Sequence, residues 1–324
     1  MQRKMNRIGF ALVGLALGLA ARSARADGVV ASPLSLPNEV RLSLEKQIAQ
    51  ARAADPQIFA AVAAVDTYKP EGARRNRHGQ PMAARAFMLM GPRALLPLIE
   101  WAAFKAPARG NLGEAEWRAL GSGLLQAIGV LKDPRGAPVL RAVFAGASDP
   151  EWLEQAAMGL GMMCGEAERQ LLIAETAPAS GRRDAAVAGL GYCRTPETAQ
   201  KLGELMAQAT EPALAARVGR ALGYVGSSWA LAAEMKQGDK RHAGRLAPEQ
   251  ADAIQRTAAE ALVAALPRHA GETREAIGRG VLMVEHPIAL DRLEAASRTA
   301  PAALRADLER LRGQLAASLA RAKK

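Results

Sequence analysis

Four stretches of this sequence close in the same way. Ala127-Ile128-Gly129-Val130 recurs as Gly159-Leu160-Gly161-Met162, then Gly189-Leu190-Gly191-Tyr192, then Ala221-Leu222-Gly223-Tyr224, and the shared glycines lie 32, 30 and 32 residues apart. Alanine-rich runs such as Gln155-Ala156-Ala157, Asp184-Ala185-Ala186 and Ala215-Ala216-Arg217 lead into these endings. A short break and a second apolar segment follow, as at 138–144 and 197–205. Two helices of about 11 residues with two tight turns fill about 30 residues. One such pair cannot bury both of its apolar faces, so a chain with this period must stack pair upon pair. Ala and Gly at the crossing points predict close backbone approach, and a glycine near a helix end also offers a left-handed terminating residue. Proline after Asp133, Asp149, Thr195 and Glu211 marks helix starts.

Composition points the same way. The 324 residues are 49% hydrophobic but only 4% aromatic, which disfavours strands, and the 23% charged content with that apolar fraction excludes a disordered chain. The expected fold class is all-α, an α-solenoid of stacked antiparallel helix pairs. The repeated endings resemble the HEAT-repeat family, in particular its short bacterial variety with an alanine-rich helix ending in Ala-Leu-Gly. The resemblance is clearest over 114–226, with looser units at 84–92 and 276–282. Asp149 matches the turn aspartate common in that family, whereas its Val-Arg pair opening the second helix is largely missing. The resemblance implies a HEAT-like array, with the alanine-rich helices lining one binding surface.

The N-terminus reads as an address. Arg3, Lys4 and Arg7 precede an uncharged, mostly apolar run from 8 to 20, and Ala24-Arg25-Ala26 puts small residues at the −3 and −1 positions of a cleavage site. Residues 1–26 are thus expected to be a secretory signal peptide cut after Ala26, leaving a periplasmic or secreted protein. Its apolar run is short of the roughly 20 residues of a spanning helix, and no later stretch is apolar enough for an integral span. The formal charge of +11 falls to +6 without the five basic residues of this segment. That excess suits an acidic partner and gives little support to nucleic-acid binding.

Residues 27–37 read as a loose leader, 38–300 as the helical array opening with Asn38 as an N-cap, and 301–324 as a C-terminal capping helix. Leu304, Leu308, Leu311, Leu315 and Leu319 form the apolar face of that last helix, too short for a long coiled coil. Two basic stretches interrupt the rhythm, one with Arg74, Arg75 and Arg77, the other with Lys240, Arg241 and Arg245. They are candidate binding loops or simply solvated insertions.

Cys164 and Cys193 occupy near-equivalent places after consecutive Gly-Leu-Gly endings. Neighbouring helix axes lie about 8–10 Å apart and a disulfide needs Cα atoms within about 7 Å, so they form a bond only if both sit on facing sides. The alternative is two buried thiols. His78, His242, His269 and His286 have no second ligand at helical spacing, and no nucleophile elbow or phosphate loop occurs. No catalytic residue, metal site or cofactor is expected. Val130, Met162, Tyr192 and Tyr224 should form a ladder, the first two as inter-helix packing. Arg217, Arg220 and Tyr224 share one helical face, and with Tyr192 they are the candidate partner-binding residues. The function expected is a non-enzymatic exported scaffold that binds an envelope protein. An envelope enzyme or accessory domain with a site between repeats, and a purely structural spacer, are the alternatives.

Overall fold

A computed structural model describes residues 28–65, 82–237 and 246–322 of the chain. Among these residues every regular element is helical. In order they are α1 (Asn38–Ala54), α2 (Pro56–Ala63), α3 (Met82–Leu89), α4 (Leu95–Ile99), α5 (Glu114–Leu131), α6 (Ala137–Gly146), α7 (Pro150–Met163) and α8 (Glu166–Ala174). Then come α9 (Arg183–Leu190), α10 (Pro196–Gln208), α11 (Pro212–Val225), α12 (Ser228–Gln237), α13 (Pro248–Ala265), α14 (Gly271–Val284), α15 (Ile288–Thr299) and α16 (Ala302–Ala322). Prolines open α7, α10 and α11, and the side chains of Asp149 and Thr195 cap α7 and α10. Asn38 is the first residue inside α1 rather than its cap.

The helices fall into two layers. One row runs α3, α5, α7, α9, α11, α14, α16, each helix packed on the next. Behind it, α8, α10, α13 and α15 pack in sequence, and α6 lies against α7. The Gly-Leu-Gly ending explains how the first row closes up. Residues two apart on a helix point 200° apart, so the outer two face opposite neighbours while the middle one points sideways. Gly159 faces the Leu125 carbonyl of α5 and Leu140 of α6, whereas Gly161 meets the Gly189 carbonyl of α9. Leu160, between them, is fully buried. Gly191 repeats the device against Ala221, where an added Cβ would lie 3.0 Å from the Cα, and Gly223 repeats it against Gly280, at 2.9 Å.

These glycines are therefore contact residues. None has positive φ, and the left-handed helix ends are Lys132, Cys164 and Glu285 instead. The expectation that a repeat glycine supplies a left-handed helix end is corrected: even Gly191, which caps α9, has φ −59°, and what these positions need is space, because the neighbouring backbone leaves no room for a Cβ. In the last unit the working triplet is Gly280-Val281-Leu282, since Gly280 meets the Gly219 carbonyl, while Gly278 touches only Leu311 of α16.

Two segments depart from the expected plan. Between α11 and α14 the interval doubles, because α13 takes the place beside α10 and α12 is extra. Glu234 of α12 accepts from Arg194 at 2.8 Å and lies 3.7 Å from Lys132 Nζ, and Ser228 donates to Glu285 at 2.5 Å. The helix is thus tied to the C-terminal ends of α5, α9 and α14.

The described part of the expected loose leader is packed. Val29, Val30, Ala31 and Leu36 are buried. The N–H groups of Val29, Val30 and Ala31 donate to the carbonyls of Trp101 and Ala102, within a π-helical stretch (Glu100–Phe104) that continues α4. The wider turn of a π-helix shifts its carbonyls from the usual partners, and the N-terminal segment takes up two of them. At the other end, Leu308, Leu311 and Leu315 of α16 are buried, using its apolar face within the chain.

Candidate functional site

On α5, α7, α11 and α14, and in the turn just past α9, the residue after the second contact position is partly or fully exposed. Val130, Met162, Tyr192, Tyr224 and Met283 hold this place in successive units of the first row. Val130 is 39% exposed, so it is not the inter-helix packing residue the sequence suggested: the contact is already made by Gly129, and the next side chain turns outward. Met162, Tyr192 and Met283 are half-buried, and Tyr224 is 37% exposed. The rings of Tyr192 and Tyr224 stack, with centroids 5.3 Å apart and planes 24° from parallel. Burial, helped by the neighbouring Tyr224, raises the Tyr192 phenol well above its ordinary pKa, so it stays a neutral hydrogen-bonding group.

The Tyr192 backbone is fixed from the adjacent residue. Cys193 is fully buried and joined to Cys164 in a disulfide with Cα atoms 4.9 Å apart. Cys164 leaves α7 in the left-handed conformation, φ 50°, which turns its chain away from the helix axis and toward the end of α9. The helices themselves need not come closer than usual for this bond to form.

One to two turns nearer the N-termini, the same face carries charge. Arg217 of α11 lies 3.4 Å from Asp184 of α9 and 3.5 Å from Glu154 of α7, so its guanidinium is already engaged within the row. Arg220 is exposed, one turn from Tyr224, and flanks the contact between Gly219 and α14. Arg279 of α14 is also exposed beside that seam, with Glu275 3.9 Å away. Arg279 and Met283 escaped the sequence reading because Ala276-Ile277-Gly278 imitates the repeat ending one turn early. The nearby α12 presents Trp229 at 80% exposure, with no periodic signal to announce it.

Candidate residues Arg74, Arg75 and Arg77, and Lys240, Arg241 and Arg245, lie outside the described residues, as does the segment 1–26. Among the described residues no group of three His, Cys, Asp or Glu side chains is placed to hold a metal ion, and no helix is long and apolar enough to cross a membrane. Among the described residues, His286 pairs with the Asp252 carboxylate, 3.1 Å away. Its Nδ1 accepts the Ile288 N–H at 3.2 Å, which leaves Nε2 as the donor to Asp252. With both ring nitrogens engaged, the imidazole ties α13 to the start of α15 rather than offering a free base. That hydrogen bond, with help from Arg256, holds the Asp252 carboxyl below its ordinary pKa.

The first-row face thus assembles a stacked tyrosine pair, a methionine on either side and two exposed arginines, built on seams of glycine and alanine. Compared with known proteins, the chain matches no family model and no curated sequence.

Proposed function

We propose that the protein is a HEAT-like α-solenoid, exported to the cell envelope, whose first-row face binds another protein without catalysing a reaction. The observation that carries this reading is the Tyr192–Tyr224 stack beside exposed Arg220. Tyrosine and arginine supply large, oriented contacts at protein interfaces, and a pair held rigid by a disulfide and a ring stack loses little entropy on binding. The two layers and the recurring glycine contacts support the solenoid reading, because each unit completes the core of the next. The N-terminal charge and apolar pattern supports export, and a disulfide suits an oxidising compartment.

Affinity capture from envelope extracts tests the reading, comparing the wild-type chain with Arg220→Glu and Tyr224→Ala. Both side chains are exposed enough for the variants to fold. A partner retained by wild type and lost by both variants is the expected result, and an unchanged set of captured proteins rejects this face. Arg217→Glu is a poor probe, since it would set a third carboxylate beside Glu154 and Asp184. Sequencing the N-terminus of the exported protein should give Asp27 as its first residue.

A further inference from the structure

Of the five ladder residues, Tyr192 alone lies outside a helix. Val130, Met162, Tyr224 and Met283 sit in the last turns of α5, α7, α11 and α14, whereas α9 ends at Leu190, two residues short of Tyr192. Past that end the Tyr192 N–H donates to the Gly189 carbonyl at 3.0 Å and the Cys193 N–H to the Leu190 carbonyl at 3.1 Å. The disulfide stands where the missing helical turn would be. Its other end, Cys164, needs no such help: Lys132 and Glu285 leave α5 and α14 in the same left-handed conformation, φ 51° and 49°, without a cross-link. The bond therefore anchors a turn that α9 does not hold to a helix end that is fixed without it. On either side of Cys193, Tyr192 stacks on Tyr224 at 5.3 Å and Arg194 donates to Glu234 of α12 at 2.8 Å. A ring stack and a partly exposed ion pair are each weak beside a covalent link. The two cysteines also differ in access, Cys193 being fully buried and Cys164 partly exposed. Thiol–disulfide exchange requires a thiolate to reach one sulfur and expel the other, so the accessible end decides where it begins.

We propose that the Cys164–Cys193 bond is a redox-controlled lock on the turn carrying Tyr192, opened through Cys164 by an external dithiol. A thiolate of the dithiol attacks Cys164 Sγ and forms a mixed disulfide; the Cys164–Cys193 bond breaks, and Cys193 leaves as a thiolate that takes up a proton. The second thiol of the reductant then attacks its own sulfur in the mixed disulfide, which releases Cys164 as a thiol and the reductant as a cyclic disulfide. Two electrons and two protons pass to the protein. The freed turn lets Tyr192 leave its stack and Arg194 release Glu234, so the tyrosine face and one tie of α12 loosen together. The exchange site stands apart from the partner-binding reading above; its consequence for binding rests on that reading.

The test uses the full exported chain. Dithiothreitol without denaturant should open the bond in the wild-type protein, leave its far-UV circular dichroism intact and speed amide exchange across 191–195 at least 10-fold, while exchange within α11 stays unchanged. Single-cysteine variants locate the entry point: Cys193→Ala should form a mixed disulfide with oxidised glutathione at least 10-fold faster than Cys164→Asn. A bond that opens only in denaturant, unchanged exchange at 191–195, loss of helix on reduction, or equal reactivity of the two folded variants overturns the proposal. Capture of a partner that Arg220→Glu abolishes should fall at least 5-fold when the wild-type protein is reduced, and full capture by the reduced protein also overturns it. A turn that exchanges faster on reduction, with no Arg220-dependent partner, rejects the binding reading and leaves the lock in place.

Discussion

At the scale of single residues, the strongest constraint is the Cys164–Cys193 link. It closes a loop of 29 residues, for which the chain-entropy model gives about 3.5 kcal/mol of stability. Reduction should lower the urea midpoint by a matching amount, and Cys164→Asn with Cys193→Ala should reproduce it, asparagine being tolerant of left-handed backbone. A midpoint unmoved by reductant would mean that the link is absent. The cysteines were visible in the sequence, but whether they face each other turned on the φ of Cys164, which spacing cannot show. His269 makes a second prediction. Burial, then the charge of Arg268, lowers its pKa from the ordinary 6.5. The folded state resists its protonation, so this contribution to stability is intact above 6.5 and is lost as pH falls through the lowered value. His269→Leu should therefore flatten the decline in urea midpoint between pH 7.5 and 5.5, and an unchanged decline would refute the assignment.

At the scale of helices, glycines divide into two kinds that look alike in the sequence. Gly161 in α7 faces the Gly189 carbonyl, and Gly161→Ala must push α7 and α9 apart, at a cost of about 1–3 kcal/mol or more. Gly203 in α10 would place a Cβ 3.6 Å from the Ala261 methyl, an ordinary contact, so Gly203→Ala should stabilise by about 0.5–1 kcal/mol. Opposite shifts in thermal midpoint check the pair. Helical character and the regular seams were legible because Gly-x-Gly spacing puts two small residues on opposite sides of one helix. Less was legible where the pattern gives no periodicity. The Pro- and Ser-bearing segment 27–37 looked like a loose leader, yet Val30 packs against the Gly121 and Trp152 environment and its N–H reaches the π-helical stretch. Val30→Asp should cost about 2–3 kcal/mol in urea unfolding, which a true linker would not show. The extra helix α12 was invisible for a different reason: its ties, Ser228 to Glu285 and Glu234 to Arg194, span long sequence separations.

At the scale of the whole molecule, the two layers are spaced by different atoms. At three first-row seams, α5–α7, α7–α9 and α11–α14, the closest approach is backbone to backbone, through Gly129 and Gly159, Gly161 and Gly189, Gly223 and Gly280. In the second layer, the glycine of α10 reaches only the side chains of Ala261 and Thr257 on α13. The seams closed through these glycines therefore have no room for even one added carbon, whereas the α10–α13 contact does. Helices that meet backbone to backbone cannot be brought closer by repacking side chains, so the separation of Met162, Tyr192 and Tyr224 along the face is set by the peptide chain rather than by rotamers.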